Sequence, residues 1–320
     1  MRVLVTGATG FVGVHLCRAL EAAGHAVTAA ARRDVADEVS AAARWVNVGD
    51  LGPETDWRPA LVGVDAVMHI AARTHVLKET ATDADAAYRR VNVDATERLV
   101  AQAATAGVKR FVYLSSVKAS GENSVPGTPL TDSDPPRPED AYGRTKLAAE
   151  QLILRAAEAA GMNAAVLRPP LIYGPGIKGN LLTLFNAIDK GVPLPLGSVA
   201  NKRSLVYVGN LVDVMIKMLA TDAVAGRTYF ITDGEDVSTP ELVRRIAEAL
   251  GRPARLLPMP TALLFLAGRL CGRTPTMQRI AGSLQIDDSP LRQTMDWSPP
   301  VTMKEGLEQT AAWFKSRGIE

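Results

Sequence analysis

The sequence predicts an α/β fold: a Rossmann-type, doubly wound parallel sheet joined to a smaller α/β lobe. Three observations carry this. Apolar β-type runs alternate with helical patterns through the first half of the chain, a glycine-rich turn follows the first run at once, and several helical patterns end at glycine. Alternation of this kind marks βαβ units with parallel strands. Glycine ends a helix because it enters the left-handed conformation at little cost.

Strands are expected at Arg2–Thr6, Ala26–Ala31, Arg44–Asn47, Ala66–Ile70, Arg110–Leu114 and Ala164–Arg168, with helices at Gly13–Gly24, Ala84–Gly107 and Ala141–Gly161. Thr128 to Pro138 is too rich in proline and polar residues for regular structure. After Ile172 the alternation loosens, Gly174-Pro175-Gly176 breaks the chain, and helices near 180–190, 210–220, 239–250 and 303–315 alternate with short strands near 202–206 and 227–231. We therefore divide the chain into a dinucleotide-binding domain, 1–171, and a mainly substrate-binding lobe, 172–320, some of whose segments return to the first domain. The stretch Thr261 to Leu270 is too short to span a bilayer. It is expected as a core helix, with a surface-seeking helix as the alternative.

Composition bounds the function. The 320 residues are 47% hydrophobic and 22% charged, as in a globular protein with ample core. A net charge of +2 gives no electrostatic argument for nucleic acid or a membrane surface. Cys17 and Cys271 are too few for a disulfide framework or metal cluster, so a reducing, cytoplasmic setting and no metal are expected. Because Arg2-Val3-Leu4-Val5 already reads as a strand, no signal peptide is expected before the fold.

Gly7-Ala8-Thr9-Gly10-Phe11-Val12-Gly13 has G-x-x-G-x-x-G spacing between a strand and a helix. Glycine there lets the backbone turn tightly and approach a pyrophosphate, whose charge rests on helix N-terminal amides. At the end of the second strand an acidic residue selects NAD, and a nearby arginine accommodates the 2′-phosphate of NADP. Here Ala31 is followed by Arg32 and Arg33, with no carboxylate until Asp34, which favours NADP(H) and leaves NAD(H) open. The alternative for the arginines is a pair of solvated loop residues. Asp50, followed by Leu51, can contact the adenine or simply serve a turn.

Tyr142 and Lys146 are four residues apart on an expected helix, so phenol and ammonium can reach one pocket. An unperturbed tyrosine, with a pKa near 10, is a poor base at neutrality, and a fixed positive charge nearby lowers it. Ser115-Ser116 follows the fifth strand at the carboxyl edge, where ligands of open α/β sheets bind. Standing alone, those serines would read as a turn or helix cap.

Together these motifs resemble the extended short-chain dehydrogenase/reductase family, and within it the nucleotide-sugar epimerase/dehydratase/reductase branch. Further matching segments are His69-Ile70-Ala71-Ala72, Val91-Asn92-Val93-Asp94-Ala95-Thr96, Arg168-Pro169 through Tyr173-Gly174-Pro175-Gly176, and Arg203 through Val208 with Asp213. The resemblance implies Ser116, Tyr142 and Lys146 as the catalytic set, with Ala71, Ala72, Asn92 and Pro169 beside the cofactor. It implies Asn180 and Arg203 on a nucleotide diphosphate, with Arg279 as a second phosphate arginine for which Arg273 competes. Ala31 departs from the many epimerases of this branch that carry an acidic residue there and keep NAD tightly. Ser115-Ser116-Val117-Lys118 lacks the Asp-Glu pair of a 4,6-dehydratase. The expectation is therefore reduction of a UDP-linked 4-keto sugar, for instance a 4-keto-6-deoxy-N-acetylhexose. A UDP-hexose or UDP-N-acetylhexosamine 4-epimerase is the alternative. The family also implies a homodimer through the helices Ala84–Gly107 and Ala141–Gly161. A non-catalytic NADP sensor, or a reductase of lipophilic carbonyls, are the readings from other classes.

Overall fold

The computed structural model describes residues 1–33, 42–74, 83–270 and 274–317. Strands β1 (Arg2–Thr6), β2 (Ala26–Ala31), β3 (Arg44–Asn47), β4 (Ala66–His69), β5 (Arg110–Leu114), β6 (Asn163–Arg168) and β9 (Arg227–Phe230) form one sheet in the order β3-β2-β1-β4-β5-β6-β9. Every neighbouring pair is parallel. The strand order reverses between β1 and β4, the switch point where such sheets open a crevice at their carboxyl ends.

Period-two side-chain alternation builds a core on each face. Val3, Val5, Met68, Val112 and Leu167 point into one core with Leu16 and Leu20 of α1 (Phe11–Ala22) and Leu211 and Met215 of α7 (Val208–Met218). Leu4, Val67, Phe111 and Val166 point into the other, with Leu99 of α4 (Ala95–Thr105) and Ile153 of α5 (Ala141–Ala159). Because both faces are covered, the strands read as continuous apolar runs.

A second sheet, in the order β10-β8-β7, is built from β7 (Leu171–Tyr173), β8 (Arg203–Tyr207) and β10 (Asp236–Val237). Around it lie α6 (Gly179–Asp189), α8 (Thr239–Leu250) and α12 (Met303–Ser316), the last started by a reciprocal capping box between Thr302 and Glu305. β9 leaves this region to pair with β6.

Two sequence expectations need correction. The helix expected over Ala84–Gly107 is interrupted: α3 (Ala84–Arg89) passes into a π-helical turn, Arg90–Asp94, before α4 resumes. One extra residue per turn leaves the apolar periodicity nearly intact, so the sequence pattern does not show it. The stretch Thr261–Leu270 does form a helix, α9, but not a core helix. Leu264 is buried, whereas Leu263, Phe265 and Leu266 are exposed.

The glycine turn is sterically closed. A Cβ on Gly13 would collide with the Gly7 carbonyl oxygen and lie 2.7 Å from that of Ala8, all backbone atoms with no room to yield. Gly13→Ala is expected to cost about 1–3 kcal/mol through overpacking, read as a lowered Tm together with a reduced Tm rise on adding dinucleotide. An unchanged Tm would show that the turn relaxes freely.

Candidate active site

Strand register assembles the site. Thr6 lies opposite Ala30 and His69, His69 opposite Tyr113, and Leu114 opposite Leu167. The residues that follow each strand therefore emerge along one edge: Gly7, Arg32, Ala71 with Ala72, Ser116, and Pro169. Two further bonds continue the ladder past β5, from Ser115 N–H to the Leu167 carbonyl at 2.7 Å and from Val117 N–H to the Pro169 carbonyl at 2.9 Å. Ser116 is held between them.

Gly7 has φ +68 and its backbone touches that of Ala71, where a Cβ would sit 2.9 Å from the Ala71 Cα. Glycine at Gly7 and Gly13 thus lets the turn close tightly on its own backbone, the kind of turn whose amides can approach a pyrophosphate. Thr9 and Gly10 are exposed at its tip, and Phe11 and Val12 open α1 behind it. Phe11 packs near Gly176, and His15 Nε2 donates to the Pro175 carbonyl at 2.7 Å, tying the loop before α6 to the glycine turn. Arg32 and Arg33 are exposed just beyond β2, and Asp34 lies outside the described residues. Asp50 is exposed and Leu51 half-buried in the loop after β3.

Behind this edge runs a buried polar chain. The Thr96 hydroxyl donates to the Asn92 carbonyl at 2.9 Å, so it accepts from His69 Nε2 at 2.8 Å. His69 Nδ1 then accepts from Thr6 at 2.7 Å, which assigns the tautomer. Burial, with the Lys146 charge adding to it, pushes the His69 pKa down to about 3, so the ring is neutral. The π-turn places Asn92 where its amide grips Arg73 at both backbone atoms and donates to Thr145 Oγ1 at 3.1 Å. Asn92 thus joins the β4 edge to α5.

Asp140 caps α5, accepting from Gly143 N–H at 2.7 Å, and Lys118 pins that cap at 2.6 Å while also pairing with Glu122. The helix then presents Tyr142, Lys146 and Glu150 along one side, four residues apart. Tyr142 hydrogen-bonds Ser116. Lys146 is only 1% exposed, donates to the Leu114 carbonyl at 2.6 Å, and lies 4.3 Å from the Tyr113 ring centre and 6.0 Å from that of Tyr142. Ser116, Tyr142 and Lys146 are thereby brought together.

The electrostatics differ from the simple expectation. Burial pushes the Tyr142 phenol well above the usual tyrosine range, and its bond with Ser116 only partly opposes this. Burial also brings Lys146 down to about 7, with Glu150 pulling the other way. Desolvation dominates at Tyr142, with Asp140 and Tyr88 adding to it, so this arrangement holds the phenol protonated, as a proton donor.

Sequence reasoning gave no role to Glu150 and Ser120, and did not anticipate the buried partners of Ser115 and Arg168. Glu150 and Arg168 form a buried pair, with Arg168 Nε 3.0 Å and Nη2 2.5 Å from the carboxylate. Ser115 donates to Glu150, and Arg168 Nη1 donates to Ser120 at 2.8 Å. The pair therefore anchors both ends of the segment that carries Ser116. The four-residue step from Lys146 to Glu150 was the available signal.

The proposed substrate residues lie on the lobe. Arg203, half-buried, donates from Nη1 to the carbonyls of Arg279 at 2.8 Å and Gly282 at 3.0 Å. Burial lowers its pKa, against the pull of Glu122. Exposed Arg279 lies on α10 (Thr274–Ala281), 3.8 Å from Glu122. Arg203 and Arg279 thus meet, through a guanidinium and a carbonyl. Asn180 is exposed in the first turn of α6, and Arg273 lies outside the described residues.

The sheet and its edge define an NAD(P)-dependent enzyme of the epimerase/reductase type. The chain belongs to the NAD-dependent epimerase/dehydratase family, which it matches over residues 3–232. It is 38% identical to a UDP-glucose 4-epimerase of Vibrio cholerae, across 98% of this chain and 95% of the relative. It is 30% identical to a 2-alkyl-3-oxoalkanoate reductase of Stenotrophomonas maltophilia, across 98% and 99%. Among solved structures it is similar to MoeE5 in complex with UDP-glucuronic acid and NAD, with a TM-score of 0.79, 27% identity, and coverage of 99% of this chain and 100% of that one.

Two substitutions separate chemistry from scaffold. Tyr142→Phe keeps the ring and removes the proton, so turnover should fall on the order of 10²–10⁴-fold while dinucleotide still binds. Near-wild-type turnover would make the cluster structural. Glu150→Gln leaves Arg168 buried without its counter-charge and should cost about 3–5 kcal/mol in urea unfolding. A loss below about 1 kcal/mol, the scale of exposed pairs, would contradict the anchoring role.

Proposed function

We propose that this enzyme reduces the 4-keto group of a UDP-linked sugar, such as a 4-keto-6-deoxy-N-acetylhexose, using NADP(H). The observation that carries the chemistry is the hydrogen-bonded Ser116–Tyr142 pair, with Lys146 beside it, on the edge that begins at the glycine turn. Backbone amides of Gly7, Thr9, Gly10, Phe11, Val12 and Gly13 would hold the pyrophosphate. Asp50 and Leu51 would flank the adenine, Ala71, Ala72, Asn92 and Pro169 the nicotinamide half, and Lys146 the ribose hydroxyls. When bound, the reduced nicotinamide supplies the hydride that C4 receives. Tyr142 delivers the proton to the C4 oxygen, converting the ketone to an alcohol. Ser116 holds that oxygen in line, and Asn180, Arg203 and Arg279 hold the diphosphate. We also infer a homodimer built on α4 and α5.

Arg32 and Arg33 beyond Ala31 support NADP(H), since guanidinium suits a phosphate better than a ribose hydroxyl. A specific finding favours a second reading, a UDP-sugar 4-epimerase that retains NAD: the 38% identity to the Vibrio cholerae UDP-glucose 4-epimerase.

Arg32→Ala with Arg33→Ala should weaken NADPH binding about tenfold or more, since charge-assisted bonds contribute roughly 1.5–3 kcal/mol each, and should leave NADH nearly unchanged. Equal losses for both cofactors would overturn the NADP(H) assignment. UDP should raise Tm and compete with substrate, and Arg203→Ala should raise KM more than it lowers kcat, because the diphosphate is bound alike in ground and transition states. If UDP, dTDP and GDP neither shift the transition nor inhibit, a lipophilic carbonyl becomes the better substrate class.

A further inference from the structure

We propose that the α9 surface docks this enzyme onto a bilayer containing anionic phospholipid. Among the described residues nine large hydrophobic side chains are exposed, and five of them gather here: Val192, Leu257, Leu263, Phe265 and Leu266. A cluster of this kind on a polar surface marks a contact site, whereas scattered single residues do not. The two chain segments that supply it are physically joined. Leu194 N–H donates to the Arg255 carbonyl, and Leu257 N–H donates to the Leu194 carbonyl, each at 2.8 Å. Arg255 also lies across Gly191, next to Val192. α9 follows through Pro258 and Pro260 and is held to the core by Leu264.

Charge selects the occupant. Residues 190–212 and 251–286 contain eight Lys or Arg and no Asp or Glu, although the whole chain is only +2. Along the sequence, these two stretches are therefore more basic than the chain as a whole. Arg252 is paired with Asp189, and Arg203 and Arg279 face Glu122. Lys190, Arg255 and Arg269 remain exposed on this surface. A symmetric contact with a second copy would set this cationic patch against itself. An apolar helix flanked by arginines instead fits an anionic headgroup layer, with its Leu and Phe side chains sinking about 5–10 Å and the guanidinium groups meeting phosphate. No helix among the described residues is long and apolar enough to cross a membrane, so the contact is peripheral.

The test is co-sedimentation of the full chain with vesicles of phosphatidylcholine alone and of equal parts phosphatidylcholine and phosphatidylglycerol. Binding is expected to the mixed vesicles only, and to weaken with added salt. Leu263→Asp with Leu266→Asp should reduce it tenfold or more, and Arg255→Gln with Arg269→Gln on the order of fivefold per charge. Both variants should keep the wild-type Tm and dinucleotide binding, because these residues are exposed and outside the catalytic edge. Equal binding to both vesicle types, no binding to either, or full binding by the Leu variant would overturn the proposal. So would an oligomer, seen by gel filtration, that the Leu substitutions dissolve, which would assign the surface to a second copy.

Discussion

Lys146 places an ammonium where almost none of the side chain reaches water, and the surrounding structure is arranged to make that tolerable. Burial brings its pKa down to about 7, against the opposing pull of Glu150. The charge is opposed by the Leu114 carbonyl at 2.6 Å, the face of Tyr113 at 4.3 Å and the carboxylate of Glu150 one turn along α5. Glu150 is in turn gripped by Arg168 at two nitrogens. These partners come from three elements: the end of β5, the middle of α5 and the end of β6. Parallel register through the centre of the sheet is the condition for their meeting.

The chain is similar overall to relatives with unlike substrates. A UDP-glucose 4-epimerase and a 2-alkyl-3-oxoalkanoate reductase are each similar to this chain over nearly its whole length. In the lobe, the Arg203 side chain fastens the end of α10 through the Arg279 and Gly282 carbonyls. The arginine that braces the lobe is also the one proposed to meet the diphosphate, so under that proposal binding and lobe order would be coupled through one side chain.

Much of the fold was legible because it follows from short-range patterns. Runs such as Arg2–Thr6 and Arg110–Leu114, buried on both faces, announce parallel strands. The step from strand to Gly7 to α1 announces the turn. What stayed hidden depends on tertiary context. The π-turn at Arg90–Asp94 adds one residue without disturbing the apolar stripe, yet it sets the position of Asn92. The pairing of Glu150 with Arg168 joins residues eighteen apart that no local rule connects. α9 is the opposite case: its composition says core, and only the structure shows that Leu263 and Leu266 have nothing packed over them to bring them inside. The depth at which Tyr142 is buried, which holds its phenol above the usual range, likewise cannot be read from spacing.

The central claim is that Tyr142, with Ser116 and Lys146, moves a proton while a hydride is exchanged at C4 of a UDP-linked sugar. The most direct measurement mixes the protein with NADPH and a UDP-4-keto-6-deoxy-N-acetylhexose, follows the loss of NADPH absorbance, and identifies the product sugar. The account predicts stoichiometric NADPH consumption and a single C4 alcohol, with both lost in Tyr142→Phe. Undiminished NADPH together with an unchanged UDP-sugar, and no interconversion of UDP-hexose C4 epimers, would contradict it.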